Sequence, residues 1–242
     1  GLPEFDDYNK TCDYPVNGKP NSQKWDPRLF HTVGMPTFPY KYESGYTMTT
    51  ANSRTPNVYG YYTSLKEVPQ RSKGETFNGS WQAFAMNDYV LRYSDIMLMR
   101  AEALIELDRL AEARTIINDI RQRAKNSVDK HIEYAKDQCD IALYPESYFQ
   151  NKETARKCLR WERRLEMAME NGRFFDLRRW GIASETLNKY FESEKKDQYG
   201  EQTYAQYLKD AKFTPGKNEF YPVPYNQLYY IPGLYKQNKG YE

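Results

Sequence analysis

The sequence predicts a mainly α protein built of tetratricopeptide-like helical hairpins joined to a long irregular, loop-rich segment. Three observations predict it. Apolar residues fall into helical periodicity abruptly near residue 90 and keep it, with short breaks, to about residue 191. Residues 1–88 show no such period and are punctuated by Pro15, Pro20, Pro27, Pro36, Pro39, Pro56 and Pro69. Aromatic residues are also in surplus, with Tyr 23, Phe 11 and Trp 4 in 242 residues.

In chain order, residues 1–88 are rich in Gly, Asn, Ser, Thr and Tyr, and read as long loops with short strands or 3₁₀ turns. So much irregular chain is uncommon in a compact domain unless it serves function or covers another domain. Residues 90–107 place Leu91, Met97, Leu98, Ala101, Leu104 and Ile105 at helical offsets. Asp108-Arg109 breaks the pattern, and residues 110–125 resume it with Leu110, Ala113, Ile116, Ile117 and Ile120 on one face. Two amphipathic helices joined that closely must lie antiparallel. Residues 126–150 form a polar connector with room for a short helix. A third helix is expected from Lys152 to Asn171, with Asn151 as N-cap and Gly172 at its end. A fourth runs from Arg173 to Trp180 and continues brokenly to Phe191. The prolines Pro215, Pro222, Pro224 and Pro232 predict an extended tail from Phe213, whose aromatics could bury against the helices. The expected organisation is therefore 1–88 irregular and ligand-facing, 89–193 helical scaffold, and 194–242 an extended tail packed on that scaffold.

Bulk properties exclude several functions. Lys+Arg 35 against Asp+Glu 33 leaves a net charge of +2, with none of the basic excess a nucleic-acid binder needs. No apolar run approaches the roughly 20 residues that span a bilayer as a helix. The start, Gly1-Leu2-Pro3-Glu4, is not a signal peptide and reads as a cut or truncated chain. Cys12, Cys139 and Cys158 have no metal-ligand spacing and only His31 and His131 accompany them, so neither a zinc site nor a disulfide framework is expected. A Cys139–Cys158 bridge is conceivable, but buried free thiols are the better reading, because cysteine packs as a small hydrophobe. No phosphate loop, HExxH helix or Ser/His/Asp order is present, and no cofactor is expected.

Surplus Tyr and Trp suit wet stacking interfaces, because each carries an apolar face and a polar edge. Sugars and protein partners both present matching surfaces, and composition does not separate them.

Four segments, in order, resemble those of the SusD/RagB family. The first is Phe5-Asp6-Asp7-Tyr8 followed by Asp26-Pro27-Arg28-Leu29. The second runs from Val90-Leu91-Arg92-Tyr93-Ser94-Asp95 through Met99-Arg100-Ala101-Glu102-Ala103 to Ile117-Asn118-Asp119-Ile120-Arg121. The third is Trp161-Glu162-Arg163-Arg164-Leu165-Glu166, then Glu170-Asn171-Gly172-Arg173-Phe174-Phe175-Asp176-Leu177-Arg178-Arg179-Trp180-Gly181. The fourth is Tyr221-Pro222-Val223-Pro224, then Pro232-Gly233-Leu234-Tyr235-Lys236-Gln237-Asn238 near the end. The resemblance implies a SusD-like α/α superhelix in a lipid-anchored, cell-surface outer-membrane protein. It also implies capture of glycans for a SusC-like TonB-dependent transporter without chemistry on them. Family chains are longer and begin with a lipid-modified Cys and an N-terminal helical half, so that half is expected on a missing or separate piece.

The residues singled out for ligand contact are the aromatics of the irregular segment: Trp25, Tyr40, Tyr42, Tyr46, Tyr59, Tyr61, Tyr62 and Trp81. Tyr59-Gly60-Tyr61-Tyr62 and Trp81 are preferred, since Gly-flanked aromatics in loops tend to be exposed. Asn57, Arg71 and Asn78 are the expected polar partners. Any one ring could instead simply pack a loop onto the helices. Two other classes stand beside glycan binding. A protein-interaction scaffold would show an apolar groove on the helices. A glycosidase would need two facing carboxyls about 5 Å apart or somewhat farther. Glu166 and Glu170 are near neighbours, yet arginines flank them and should lower their pKa values, the wrong direction for a general acid. Interleaved with Glu162, Glu166, Glu170 and Asp176, the arginines Arg160, Arg163, Arg164, Arg173, Arg178 and Arg179 read as a structural charge network rather than a phosphate patch.

Overall fold

The computed structural model describes residues 2–3, 24–55, 60–73, 87, 89–195 and 208–242. It is mainly helical, as predicted, and divides into two compact units, Gly1–Asn171 and Gly172–Glu242.

The first unit is built around the predicted hairpin. Helix α2 (Tyr93–Glu106) and helix α3 (Leu110–Asn126) are joined by Leu107–Arg109. Asp108 takes a left-handed φ of 59°, and the amide of Arg109 donates to Leu104 O at 2.8 Å, closing the turn. Helix α5 (Lys152–Glu166) lies against both. Leu98, Leu104 and Ile105 of α2 meet Ile117 and Ile120 of α3 and Leu159 of α5 in one core. Ala101, Ala113 and Ala155 are fully buried there, so the helices approach closely where side chains are smallest.

Asn151 caps α5, its Oδ1 accepting from Thr154 N at 2.9 Å. Asn151→Ala is expected to cost about 1 kcal/mol in chemical denaturation. The helix ends at Glu166, short of the predicted Asn171, because Met169 and Asn171 adopt left-handed φ angles of 64° and 60°. Gly172 instead heads the next helix, with φ −72°. The polar connector contains helix α4 (Val128–His131) and 3₁₀ turns at Glu133–Gln138 and Glu146–Phe149.

The described part of the irregular segment contains the short elements its composition suggested. Helix α1 (Arg28–Thr32) leads into strand β1 (Val33–Gly34), which pairs antiparallel with β4 (Thr63–Ser64). A second pair, β2 (Pro39–Tyr40) with β3 (Glu43–Thr47), forms a hairpin irregular at Pro39/Tyr40. Gly34 sits at a close approach: a Cβ there would lie 2.7 Å from both Met48 Sδ and Thr63 Oγ1 and would push those side chains aside. Phe30, Met35 and Phe38 pack with Val128, Ile132 and Ala135 in a second core that ties this segment to the connector.

The second unit contains helices α6 (Arg173–Arg179) and α7 (Ala183–Lys195). Leu177, Ala183 and Phe213 form its small core, and the Asn188 side chain pins the Phe213 backbone with bonds of 3.0 and 2.8 Å. The tail is not extended throughout. Pro224 precedes a six-residue helix, α8 (Tyr225–Tyr230), since proline's fixed φ suits a helix start as well as extended chain. Phe220, Tyr221, Tyr225, Tyr229, Tyr230 and Tyr235 are exposed. Among the described residues no helix is long and apolar enough to cross a membrane.

Candidate functional site

Two assemblies stand out in the first unit: a buried ion-pair frame and, on the β2–β3 hairpin, an aromatic shelf. The frame is organised by three glutamates one turn apart at the C-terminal end of α5 and just beyond it. Glu162 is fully buried and accepts hydrogen bonds from Arg28 Nη1 of α1 and, at 3.0 Å, from Arg121 Nη1 of α3. Glu166 is bound by Arg123 at 2.5 Å, Arg92 at 3.1 Å and Arg28 at 3.5 Å. Glu170 takes Arg92 at 2.8 Å and Lys66 at 2.5 Å. Arg163 of α5 pairs with Asp95 of α2 at 2.8 Å. The predicted glutamates do form a charge network, but their partners are Arg28, Lys66, Arg92, Arg121 and Arg123 rather than the interleaved arginines, of which Arg163 pairs with Asp95 and Arg179 with Asp176.

Arg28 is further clamped by Asp26, whose Oδ1 accepts from its Nε at 2.9 Å and whose Oδ2 accepts from its Nη2 at 2.8 Å. Arg121 donates to Ala142 O at 2.7 Å and lies over the Tyr144 ring at 4.5 Å. Burial pushes the Glu166 carboxyl up, but Arg123, Arg28 and Arg92 outweigh it and hold it at about 2. Burial lowers the Lys66 ammonium despite Glu170. So dense a set of fixed charges orients side chains and backbone with little freedom left.

The shelf lies on the β2–β3 hairpin. Tyr40 and Tyr46 meet edge to face, centroids 5.8 Å apart at 85°. The Arg71 guanidinium stands 4.1 Å over the Tyr46 ring, and Asn52 Nδ2 donates to Tyr46 Oη at 2.6 Å. Tyr40 Oη donates to Pro69 O at 3.0 Å. The Glu43 carboxylate accepts from the backbone N–H groups of Arg71 and Ser72, each at 2.8 Å, which holds the Arg71 turn beside the hairpin. Hydrogen bonds from Ser72 lower the Glu43 pKa. Ser44, Gly45, Asn52, Arg71 and Ser72 are exposed, so the arrangement presents an amide and a guanidinium to solvent beside two half-buried rings.

The other predicted contacts are distributed differently. Trp25 and Tyr62 are half-buried against the second core, and the Trp25 backbone pairs with Gln138 and Asp140. Tyr42 also packs there, its hydroxyl 2.7 Å from His31 Nδ1. Tyr61 is half-buried beside Gly60, whose carbonyl accepts from Ser53 Oγ at 2.7 Å. Asn57, Tyr59, Asn78 and Trp81 lie outside the described residues, as do Cys12 and Phe5-Asp6-Asp7-Tyr8. Arg71, Tyr40 and Tyr46 are therefore the named candidates brought together. Asn52 and Glu43 were not among them: Asn52 reaches Tyr46 only through the folded turn between them, and Glu43 meets a turn 28 and 29 residues away.

His31 bridges Tyr42 and Ser127, with Nε2 2.8 Å from Ser127 Oγ. Because Ser127 Oγ donates to Ala124 O at 2.6 Å, it accepts from His31 Nε2–H, and Nδ1 accepts from Tyr42. Burial, then the His131 ring 6.2 Å away and Arg123, lowers the His31 pKa to about 4. Cys139 and Cys158 are free thiols, pushed up by burial to about 11 and about 12.

The whole pattern now has a context outside this molecule. The model of the SusD family matches residues 4–241. The chain belongs to the SusD family. Among solved structures, a crystal structure of a SusD homolog from Bacteroides thetaiotaomicron superposes with a TM-score of 0.57 at 22% identity. The match covers 88% of this chain and 40% of that one, so these SusD-family residues span about two-fifths of the homolog's length. No curated protein matches the chain. In SusD-family terms, the Arg28, Arg92 and Glu162–Glu170 segments picked out in the sequence are the residues that build the ion-pair frame.

Proposed function

We propose that this chain is the frame and part of the ligand surface of a cell-surface protein that binds oligosaccharide or polysaccharide without altering it. The bound glycan passes to a TonB-dependent outer-membrane transporter of the SusC type, and a lipid anchor on the whole protein holds it at the outer membrane. SusD-family membership supports the class of function. The observation that carries the site is the Tyr40–Tyr46–Arg71–Asn52 shelf. Half-buried Tyr40 and Tyr46 offer ring surface to the C–H groups of a pyranose, while the Asn52 amide and the Arg71 guanidinium, which stands over the Tyr46 ring, meet its hydroxyls. Tyr61 and Arg71 are the proposed contacts among the described residues, joined by Tyr46 and Asn52. Asn57, Tyr59, Asn78 and Trp81, on the same segment, complete the proposed set. Trp25 and Tyr62, half-buried against the second core, belong to the proposed set through their remaining open surface.

The state of the carboxylates supports a reading of binding without catalysis. Glu166 and Glu170 share Arg92, and a Glu166 held at about 2 carries no proton to give a leaving group near neutral pH.

Calorimetric titration of the full-length protein with a panel of neutral and charged oligosaccharides tests the reading. Affinity in the millimolar-to-micromolar range is expected, because a shallow stacking site makes few contacts per sugar. Tyr46→Ala is expected to weaken binding about tenfold or more without unfolding the chain. Sugar release from any member of the panel would favour a glycosidase instead. No heat with any glycan removes the proposal.

A further inference from the structure

The shelf on the β2–β3 hairpin has donors to spare, while its strong acceptors are already engaged. The Arg71 guanidinium is held over the Tyr46 ring at 4.1 Å, and a ring face supports the charge without consuming the N–H fork as a carboxylate would. Among the described residues no carboxylate lies within ion-pair distance of that guanidinium, whereas Arg28, Arg92, Arg121, Arg123 and Arg163 each meet one. The Tyr46 hydroxyl accepts from Asn52 Nδ2 at 2.6 Å, which leaves its own hydrogen for a ligand. On the acceptor side, the two carboxylate oxygens of Glu43 take the backbone N–H groups of Arg71 and Ser72, each at 2.8 Å. Asn52 Oδ1 takes the Thr49 amide at 2.7 Å and the Thr49 hydroxyl at 3.1 Å. Tyr40 Oη has given its hydrogen to Pro69 O and offers only lone pairs.

We infer that the shelf takes an acidic saccharide, one whose ring carries a carboxylate or a sulfate ester that the Arg71 guanidinium binds and the Tyr46 hydroxyl reaches. A neutral sugar hydroxyl donates as well as accepts, and its hydrogen finds few strong acceptors here. A carboxylate or sulfate group only accepts, and its oxygens match the guanidinium fork. The fork is also held in place beforehand. Glu43 fixes the Arg71 backbone, the Tyr46 ring supports the guanidinium, and Asn52, itself bonded to Thr49, fixes Tyr46. Little side-chain freedom is then lost when an anion arrives. Hydrogen bonds from Ser72 keep Glu43 ionised beside Arg71, so the two charges nearly balance and the attraction acts at contact rather than at a distance. A solvent-exposed pair of this kind is worth about fivefold in affinity. This ligand class presupposes the glycan-binding function proposed above.

Calorimetry on the full-length protein with two matched pairs of ligands tests the acidic class. One pair is oligogalacturonate and its methyl ester; the other is a sulfated galactan oligosaccharide and its desulfated form. The acidic member of at least one pair is expected to bind about fivefold tighter than its neutral partner. The pair that responds identifies the anion as carboxylate or sulfate. Arg71→Gln is expected to bring the two members to equal affinity with the Tm unchanged, since the side chain is exposed. Equal affinity within both pairs overturns the acidic class and leaves glycan binding standing. A preference that survives Arg71→Gln also overturns it, because the anion then rests elsewhere. So does an absence of binding by all four ligands. In that case a neutral glycan bound in the wider panel would keep the proposed function, and silence across the panel would remove both.

Discussion

Replacing Glu162 with alanine is expected to destabilise the first unit by about 3–5 kcal/mol, a large share of the stability of a domain this size. Its carboxylate is the shared counter-ion of Arg28 and Arg121, whose side chains are 7% and 1% exposed. Removing it withdraws a buried carboxylate from both guanidinium groups; Arg28 keeps Asp26 and Glu166, so the loss falls mainly on the charge of buried Arg121. Glu162→Gln keeps an acceptor for one of the two and should cost less. An exposed pair gives the contrast. Glu112→Ala removes the partner of Arg109 on the surface, where both side chains are 52% exposed, and is expected to change stability by less than about 1 kcal/mol. Urea denaturation of the three variants measures the difference. Similar losses for Glu162→Ala and Glu112→Ala would show that the frame does not hold α1 to α3 and α5.

Acidification is expected to unfold the first unit in two overlapping stages. The first belongs to His31. Its folded pKa of about 4 lies below the ordinary 6.5, so the unfolded chain takes up the proton first. His31 thus contributes stability that is fully present above pH 6.5 and is lost as pH falls toward 4. The shift corresponds to about 3 kcal/mol at 1.36 kcal/mol per unit, or nearer 2 after solvent screening of a half-buried ring. The second stage belongs to Glu166, held at about 2 against an ordinary 4.5 by Arg123, Arg28 and Arg92 in spite of its burial. Its contribution is present above pH 4.5 and lost between 4.5 and 2, again on the order of 3 kcal/mol. Thermal unfolding followed from pH 8 to pH 3 should show a plateau, then a decline that begins near 6.5. His31→Gln should flatten the upper part of that decline and leave the lower part. A wild-type Tm that stays level down to pH 4.5 contradicts the assignment of the upper stage.

The helical frame was legible in the sequence because its signals are local. The period of Leu98, Ala101 and Ile105, the Asn151 cap and the break at Asp108 act within a few residues of where they appear. Where neighbouring backbone conformation decided the outcome, periodicity overran: the polar-apolar pattern continued to Asn171, but left-handed Met169 stopped the helix earlier. The interleaved Arg and Glu residues announced an ion-pair network without naming its long-range members. Arg28 lies 134 residues from Glu162, and only the fold brings them together. The candidate site was less legible for the same reason. Trp25 and Tyr62 have the composition of ligand contacts, yet they lie against Phe30 and Ile132 in the second core, and nothing local separates a ring that packs inward from one that faces out. Tyr46 differs from Tyr42 mainly through partners that only the fold supplies, Arg71 and Asn52 for one, His31 of α1 for the other.

The claim on which the functional account turns is that sugar rings rest on aromatic side chains of the irregular segment. Saturation-transfer difference spectroscopy on the full-length protein, with selective irradiation of aromatic protons and an oligosaccharide panel in excess, addresses it directly. The account predicts strong transfer to the C–H protons of at least one glycan, with the signal reduced by Tyr46→Ala and by Arg71→Ala. Transfer to no glycan in the panel, or transfer untouched by either substitution, would contradict it.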